Sequence, residues 1–218
     1  MQRELEPELM DTLEEAVDYD QMDHSEVNRV FVDDLLAGWG AIDSHLAVVD
    51  LGTGTAQIPI ELCRRDPRIR VTAIDAAAHM LDVARRNVTR ALLEEQIELS
   101  LADAKQPATG KFDVVMSNSL AHHLPEPAVM FDRIVELSKP GGLIFVRDLF
   151  RPADETEWQH LVTAYAGGEA SHARQMFADS LRAALTVDEV RDLVAARGFD
   201  PQSVAATSDR HWTWSART

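Results

Sequence analysis

The sequence predicts an α/β fold, a doubly wound, mostly parallel sheet with helices on both faces, and three observations predict it. Short β-branched runs alternate with helical periods from residue 46 to about 150, the pattern of successive βαβ units. The strand runs are nearly continuous in apolar residues, as strands buried on both faces must be. Right-handed crossovers between parallel strands then put helices on either side of the sheet. No internal repeat or low-complexity segment interrupts the pattern.

Two helices are expected ahead of the sheet, over residues 4–17 and 25–37. The second opens at Ser25 or Asp23 and sets Val27, Val30, Phe31 and Leu35 on one face. Strands follow at 46–51, 69–74, 97–101, 112–117 and 143–148, with helices at about 56–65, 77–93 and 128–138 between them. Lys139, Pro140 and Gly141 close the last of these helices. Helical stretches are then expected near 154–166, 170–184 and 187–196; Thr186 with Glu189 three residues on is a capping box for the third, and Gly198 stops it. Residues 201–217 alternate as two closing strands, antiparallel on the otherwise parallel sheet, which brings the sheet to seven strands. Trp212 and Trp214 share a face there, and as exposed aromatics they suggest a homodimer surface. No Pro-, Gly- or Ser-rich linker divides the chain, so residues 1–218 are expected to form one domain: a helical lid (1–40), a core (46–150), a helical cap (151–198) and closing strands (199–218).

Composition narrows the function. Apolar residues make up 45% and charged residues 27%, the balance of a globular protein. The net charge of −16 sets a field that repels phosphate backbones and anionic lipid surfaces, so neither a nucleic acid nor a membrane is an expected partner. Cys63 is the single cysteine, which forbids an internal disulfide and fits a reducing compartment. The first ten residues, MQRELEPELM, carry acidic side chains where an export signal needs a basic and then an apolar stretch, so a cytoplasmic location is expected.

The most informative segment is Val48-Val49-Asp50-Leu51-Gly52-Thr53-Gly54-Thr55-Ala56, a buried strand running into two glycines and then a helix. Glycines spaced by one residue let the backbone turn tightly and approach a ligand with its N–H groups. A dinucleotide fingerprint would place Gly or Ala at position 57, and this chain has Gln57. Asp50 just before the turn would repel a pyrophosphate but suits a cationic or hydrogen-donating group. Asp75, twenty-one residues after Gly54 at the end of the second strand, stands where a carboxylate takes both ribose hydroxyls, with Ala76 beside it. Asp103 and Ala104 end the third strand on the same edge, placed to read the amino group and a ring nitrogen of adenine.

These stretches, with Met80-Leu81, Phe112-Asp113-Val114-Val115 through Leu124, and Lys139-Pro140-Gly141-Gly142, resemble the class I S-adenosylmethionine-dependent methyltransferases of the small-molecule type, over about residues 46–150. The resemblance implies the Rossmann-like methyltransferase fold and a methyl transfer from S-adenosylmethionine to a small acceptor by in-line displacement, leaving S-adenosylhomocysteine. It also implies that Gly52, Thr53 and Gly54 pass beside the methionine portion, that Asp75 binds the ribose, that Met80 packs near the adenine, and that Asn118 and Ser119 line the site. Ala56 stands where the family has its third glycine. A non-catalytic S-adenosylmethionine-binding protein is the alternative. A nicotinamide-dependent oxidoreductase is a further one, opposed by Asp50 and Gln57.

Methyl transfer needs an aligned acceptor and, for an acceptor of high pKa, a base. His123, in Asn118-Ser119-Leu120-Ala121-His122-His123, and His24 are the candidate catalytic residues, with His122 the alternative to His123. Tyr19 and Met22 are expected in a loop covering the sulfonium, the tyrosine through ring–cation attraction. Arg147 and Arg151 at the end of the fifth strand are candidate substrate residues for an anionic group. Asp148, His122, His123 and Asn118 lack the tight ligand spacing of a metal site, so no metal is expected.

Overall fold

The computed structural model describes residues 1–6, 12–106 and 109–218. Its elements in chain order are α1 (Leu13–Gln21), α2 (Ser25–Trp39), β1 (Leu46–Leu51), α3 (Gln57–Arg65), β2 (Ile69–Asp75), α4 (Ala78–Ala91), β3 (Ile97–Leu101) and β4 (Phe112–Asn118). They continue with α5 (Pro127–Leu137), β5 (Ser138–Leu149), α6 (Glu155–Ala166), α7 (Ser171–Ala183), α8 (Val187–Ala195), β6 (Val204–Ala206) and β7 (His211–Arg217). The strands form one seven-stranded sheet in the order β3-β2-β1-β4-β5-β7-β6. β1 pairs in parallel with β2 and β4, and β2 with β3, while β6 and β7 are antiparallel, with Val204 opposite Trp214 and Ala206 opposite Trp212.

By compactness the chain falls into two units. One holds the described part of Leu9–Asn118 with Asp132–Val146 and Ser215–Thr218; the other holds the described part of Met1–Glu8 with Ser119–Phe131 and Arg147–Trp214. In the first, Phe31, Val32 and Leu35 of α2 join Val48 of β1, Val71 of β2, Met116 of β4 and Phe145 of β5 in one core. Phe31 meets Phe145 edge to face at 5.0 Å between ring centres, the arrangement that the ring quadrupoles favour. In the second, Trp158 and Phe177 pack on a smaller core of Leu149, Leu161, Val162, Ala178 and Leu181.

Three expectations change. The first helix spans Leu13–Gln21, because Thr12 and Glu15 exchange side-chain and backbone hydrogen bonds as a capping box. Residues 1–6 are not helical, and 7–11 of the expected 4–17 helix lie outside the described residues. Tyr19, expected in a loop, is therefore on the last turn of α1. The fifth strand begins at Ser138 instead of Leu143, since Gly141 N–H donates to the Thr218 carbonyl at 2.8 Å and Thr218 N–H to the Gly142 carbonyl at 3.1 Å. That backbone exchange with the chain end pairs residues read as a helix stop. Trp212 and Trp214 do share a face, but both are fully buried: Trp214 stacks on Phe131 at 5.3 Å and Trp212 lies 6.4 Å from the same ring. Their apolar area fills the core of their own unit and presents no dimer surface.

Candidate functional site

The site in the first unit is built on the exit of β1. Gly52, Gly54 and Ala56 all have left-handed backbone, at φ of 73°, 54° and 62°. Glycine takes that conformation without steric cost, whereas Ala56 pays for its methyl group by roughly 1–2 kcal/mol. Two hydrogen bonds hold the turn, from Gly52 N–H and Thr53 N–H to the Ile74 carbonyl, each at 2.9 Å. A third, from Gly54 N–H to Asp75 Oδ2 at 2.7 Å, joins the turn to the end of β2. A Cβ on Gly54 would meet Cε1 of Tyr19 at 3.8 Å, so the tyrosine ring stands directly over the turn.

Negative charge gathers around that ring. Asp50 is 3% exposed, and burial, reinforced by the neighbouring Asp75 charge, pushes its carboxyl up to about 7. Burial, with Asp75, Asp50 and Asp20 nearby, pushes the Tyr19 phenol up to about 12. A neutral phenol ring thus sits among three carboxyl groups, an environment that favours an incoming cation and disfavours a phosphate.

The remaining predicted residues of this unit lie on or beside α1, α2, β2, α4, β3 and β4. Asp75 has a second duty, since its Oδ1 accepts the Ala77 N–H at 2.9 Å at the entry to α4. Its carbonyl accepts the Ala102 N–H, which carries the chain on to Asp103 and Ala104 beyond β3. Ala104 is buried; Asp103 accepts the Lys105 N–H at 2.8 Å and lies 3.4 Å from the Lys105 ammonium. Met80 is buried in a cluster with Ala16, Ala77 and Val83, against which Tyr19 packs. Met22 caps the end of α1, Ala76 is half-buried between β2 and α4, and the His24 ring is tilted against Tyr19 at 4.9 Å. Asn118 ends β4.

Sequence reasoning missed a polar bracket behind the turn. Asp20 Oδ1 accepts from Gln57 Nε2 at 3.1 Å and from Asn87 Nδ2 at 2.7 Å; Asn87 also donates to the Thr55 carbonyl at 3.1 Å, and Asn28 donates to Gln57 Oε1 at 3.2 Å. This bracket ties α1 to the glycine turn and so fixes Tyr19 over it. Gln57, informative in the sequence only as evidence against a dinucleotide, was its one visible signal.

The other unit holds Ser119, His123, Arg147 and Arg151. Ser119 has φ of +56° and donates its N–H to the Arg147 carbonyl at 2.9 Å. The Arg147 side chain is buried, with Nε donating to Thr213 Oγ1 at 2.8 Å. Arg151 gives its guanidinium to the Ala184 carbonyl and to Glu189, at 2.9 and 2.7 Å. His122 Nδ1 lies 2.6 Å from Asp148 Oδ1, and both residues are buried. Burial opposes charge on His122, but the Asp148 and Glu6 carboxylates outweigh it and raise its pKa; burial likewise opposes charge on Asp148, which His122 and the Leu149 N–H hold below the usual carboxylate range.

Comparison with known proteins agrees with this geometry. A family model described as a methyltransferase domain matches residues 48–142. Ubiquinone biosynthesis O-methyltransferase of Xylella fastidiosa (strain 9a5c) is 32% identical over 111 residues, covering 50% of this chain and 44% of the relative. Trans-aconitate 2-methyltransferase of Deinococcus radiodurans is 33% identical over 123 residues, covering 56% of this chain and 44% of the relative. The chain thus matches less than half the length of these curated relatives. In fold it is similar to a SAM-dependent methyltransferase from Aquifex aeolicus, with a TM-score of 0.69 at 16% identity over 94% of this chain and 98% of the other. No helix among the described residues is long and apolar enough to cross a membrane. Residues 48–142, which match the methyltransferase-domain family model, contain the left-handed glycine turn, and over that stretch the chain is similar to methyltransferases.

Proposed function

We propose that this chain transfers a methyl group from S-adenosylmethionine to a small-molecule acceptor. The observation that carries the reading is the left-handed Gly52–Gly54 turn lying under Tyr19 and flanked by Asp50 and Asp75. The residues fit the cofactor: the Tyr19 ring stands over the Gly54 turn, and the acidic surroundings match a cationic sulfur. Bound S-adenosylmethionine supplies an electrophilic methyl group on a sulfonium.

The chain's own residues would bind and orient it. Asp50 faces the cationic methionine portion, and the Asp75 carboxylate accepts the ribose hydroxyls. Asp103, Ala104 and Met80 bound the adenine, while Tyr19, Met22, Gly52, Thr53, Gly54, Ala76 and Asn118 complete this unit's side of the site. His123 and His24 are proposed for proton removal from the acceptor, and Arg147 and Arg151 for an anionic part of it. Arg151 would first have to leave Glu189.

The relatives named as ubiquinone biosynthesis O-methyltransferase and trans-aconitate 2-methyltransferase favour a small acceptor here, and the net charge disfavours a nucleic acid. A homodimer and a cytoplasmic location stand as part of the same proposal. Incubating the full chain with methyl-labelled cofactor and a metabolite extract tests it: a labelled small molecule is expected. Cofactor binding without any labelled product would leave a binding protein in place of an enzyme, and no binding would overturn both.

A further inference from the structure

We propose that Glu6, His122 and His123 form a binding site for a divalent transition-metal ion. Glu6 Oε1 lies 3.3 Å from His122 Nε2 and 3.2 Å from His123 Nδ1, and the three ligand atoms all fall within 4.8 Å of one another. Bonds of about 2.0–2.1 Å to a tetrahedral ion put neighbouring ligand atoms about 3.3 Å apart, so two of the three edges already have that length.

The surroundings complete the case. Asp148 Oδ1 holds His122 Nδ1 at 2.6 Å, which places the proton on that nitrogen and turns the Nε2 lone pair toward Glu6. Asp148 is itself held, by the N–H groups of His122 and Leu149 at 3.2 and 2.6 Å. A carboxylate beside two ring nitrogens requires a cation between them, either shared protons or a metal ion, because lone pairs otherwise face one another. The cluster is enclosed: the side chains of Glu6, His122 and His123 are 10%, 4% and 16% exposed.

The donor set selects the ion. Two imidazoles and one carboxylate suit zinc, cobalt or nickel, and an all-oxygen preference excludes magnesium and calcium. Three protein ligands leave a fourth position for water or a ligand atom. The ion also fastens residues 1–6, because among the described residues Glu6 otherwise meets Ser180 at 3.3 Å, while Arg3 grips the His122, Leu124 and Ala183 carbonyls. Glu6 is far from the histidines in sequence, so no ligand spacing announces the site.

The test uses untagged full-length protein, stripped with a chelator and titrated at about pH 8, where imidazole is neutral enough to bind metal. One Co²⁺ per chain is expected, with the visible bands of a four-coordinate ion, displaced by Zn²⁺ and at least 100-fold tighter than Mg²⁺. Glu6→Gln and His123→Ala should each weaken Co²⁺ at least tenfold, and His79→Ala should not, with circular dichroism confirming that each variant is folded. Sub-stoichiometric Co²⁺ in the native chain, Mg²⁺ binding as tightly, or binding indifferent to both Glu6→Gln and His123→Ala would overturn the proposal and leave shared protons as the link.

Discussion

Replacing Asp50 with Asn should change how the stability of the ligand-free protein depends on pH. The carboxyl moves from an ordinary value of 3.8 to about 7 on folding, because burial disfavours its charge and Asp75 adds a like one. The folded chain therefore binds this proton more tightly than the unfolded chain. Its contribution to stability is fully present below pH 3.8 and is lost as pH rises to about 7. About three pH units at 1.36 kcal/mol each make that loss roughly 4 kcal/mol, a large share of the 5–15 kcal/mol of a typical domain. Asn cannot ionise, so Asp50→Asn should gain about 4 kcal/mol relative to the native chain between pH 4 and pH 8. Urea unfolding of both proteins across that range reads this difference directly, because titrating groups that do not interact with Asp50 cancel. Parallel pH profiles for the two proteins would refute the assignment of a buried, charge-resisting Asp50. The same variant should lose affinity for cationic S-adenosylmethionine more than for S-adenosylhomocysteine, since only the former's sulfur carries the charge that compensates the carboxylate.

Asp75→Ala should behave differently, weakening both forms of the cofactor alike by about 1–3 kcal/mol through lost hydrogen bonds; calorimetry showing unchanged affinity would remove Asp75 from the site. Trp214→Ala should cost about 3–5 kcal/mol of stability by opening a cavity beside Phe131 and should leave the sedimentation coefficient of the folded protein unchanged. A change in association state with little loss of stability would instead restore Trp214 to a surface. Breaking the buried His122–Asp148 pair with Asp148→Ala should cost about 3–5 kcal/mol in metal-free protein, since His122 is left without its partner; denaturant unfolding measures it, and a loss below about 1 kcal/mol would mean that the pair is no longer buried.

The order and type of the sheet elements were legible because each βαβ unit is local: apolar runs, helix periods and capping residues lie within a few positions of one another. β1 and β3 occupy the expected ranges, and the capping box at Thr186 and Glu189 is present. The misplaced start of β5 has a long-range cause. β5 starts early because of its pairing with Thr218, and no signal near Ser138 foretells a partner at the other end of the chain. Gly142 belongs to the same junction: a Cβ there would lie 2.8 Å from the Lys139 carbonyl oxygen, a constraint that exists only once the strand is formed.

The sequence by itself determined the αβ alternation, the glycine turn and the three aspartates at strand ends, since these depend on residue type at short spacing. Tertiary structure alone decided which charges share a neighbourhood. It set Tyr19 over Gly54 by way of Asp20, Gln57 and Asn87, buried both tryptophans, and carried Glu6 to the paired histidines. Electrostatic and packing forces act through space over a few ångströms, and the chain brings residues within that range by folds that span most of its length.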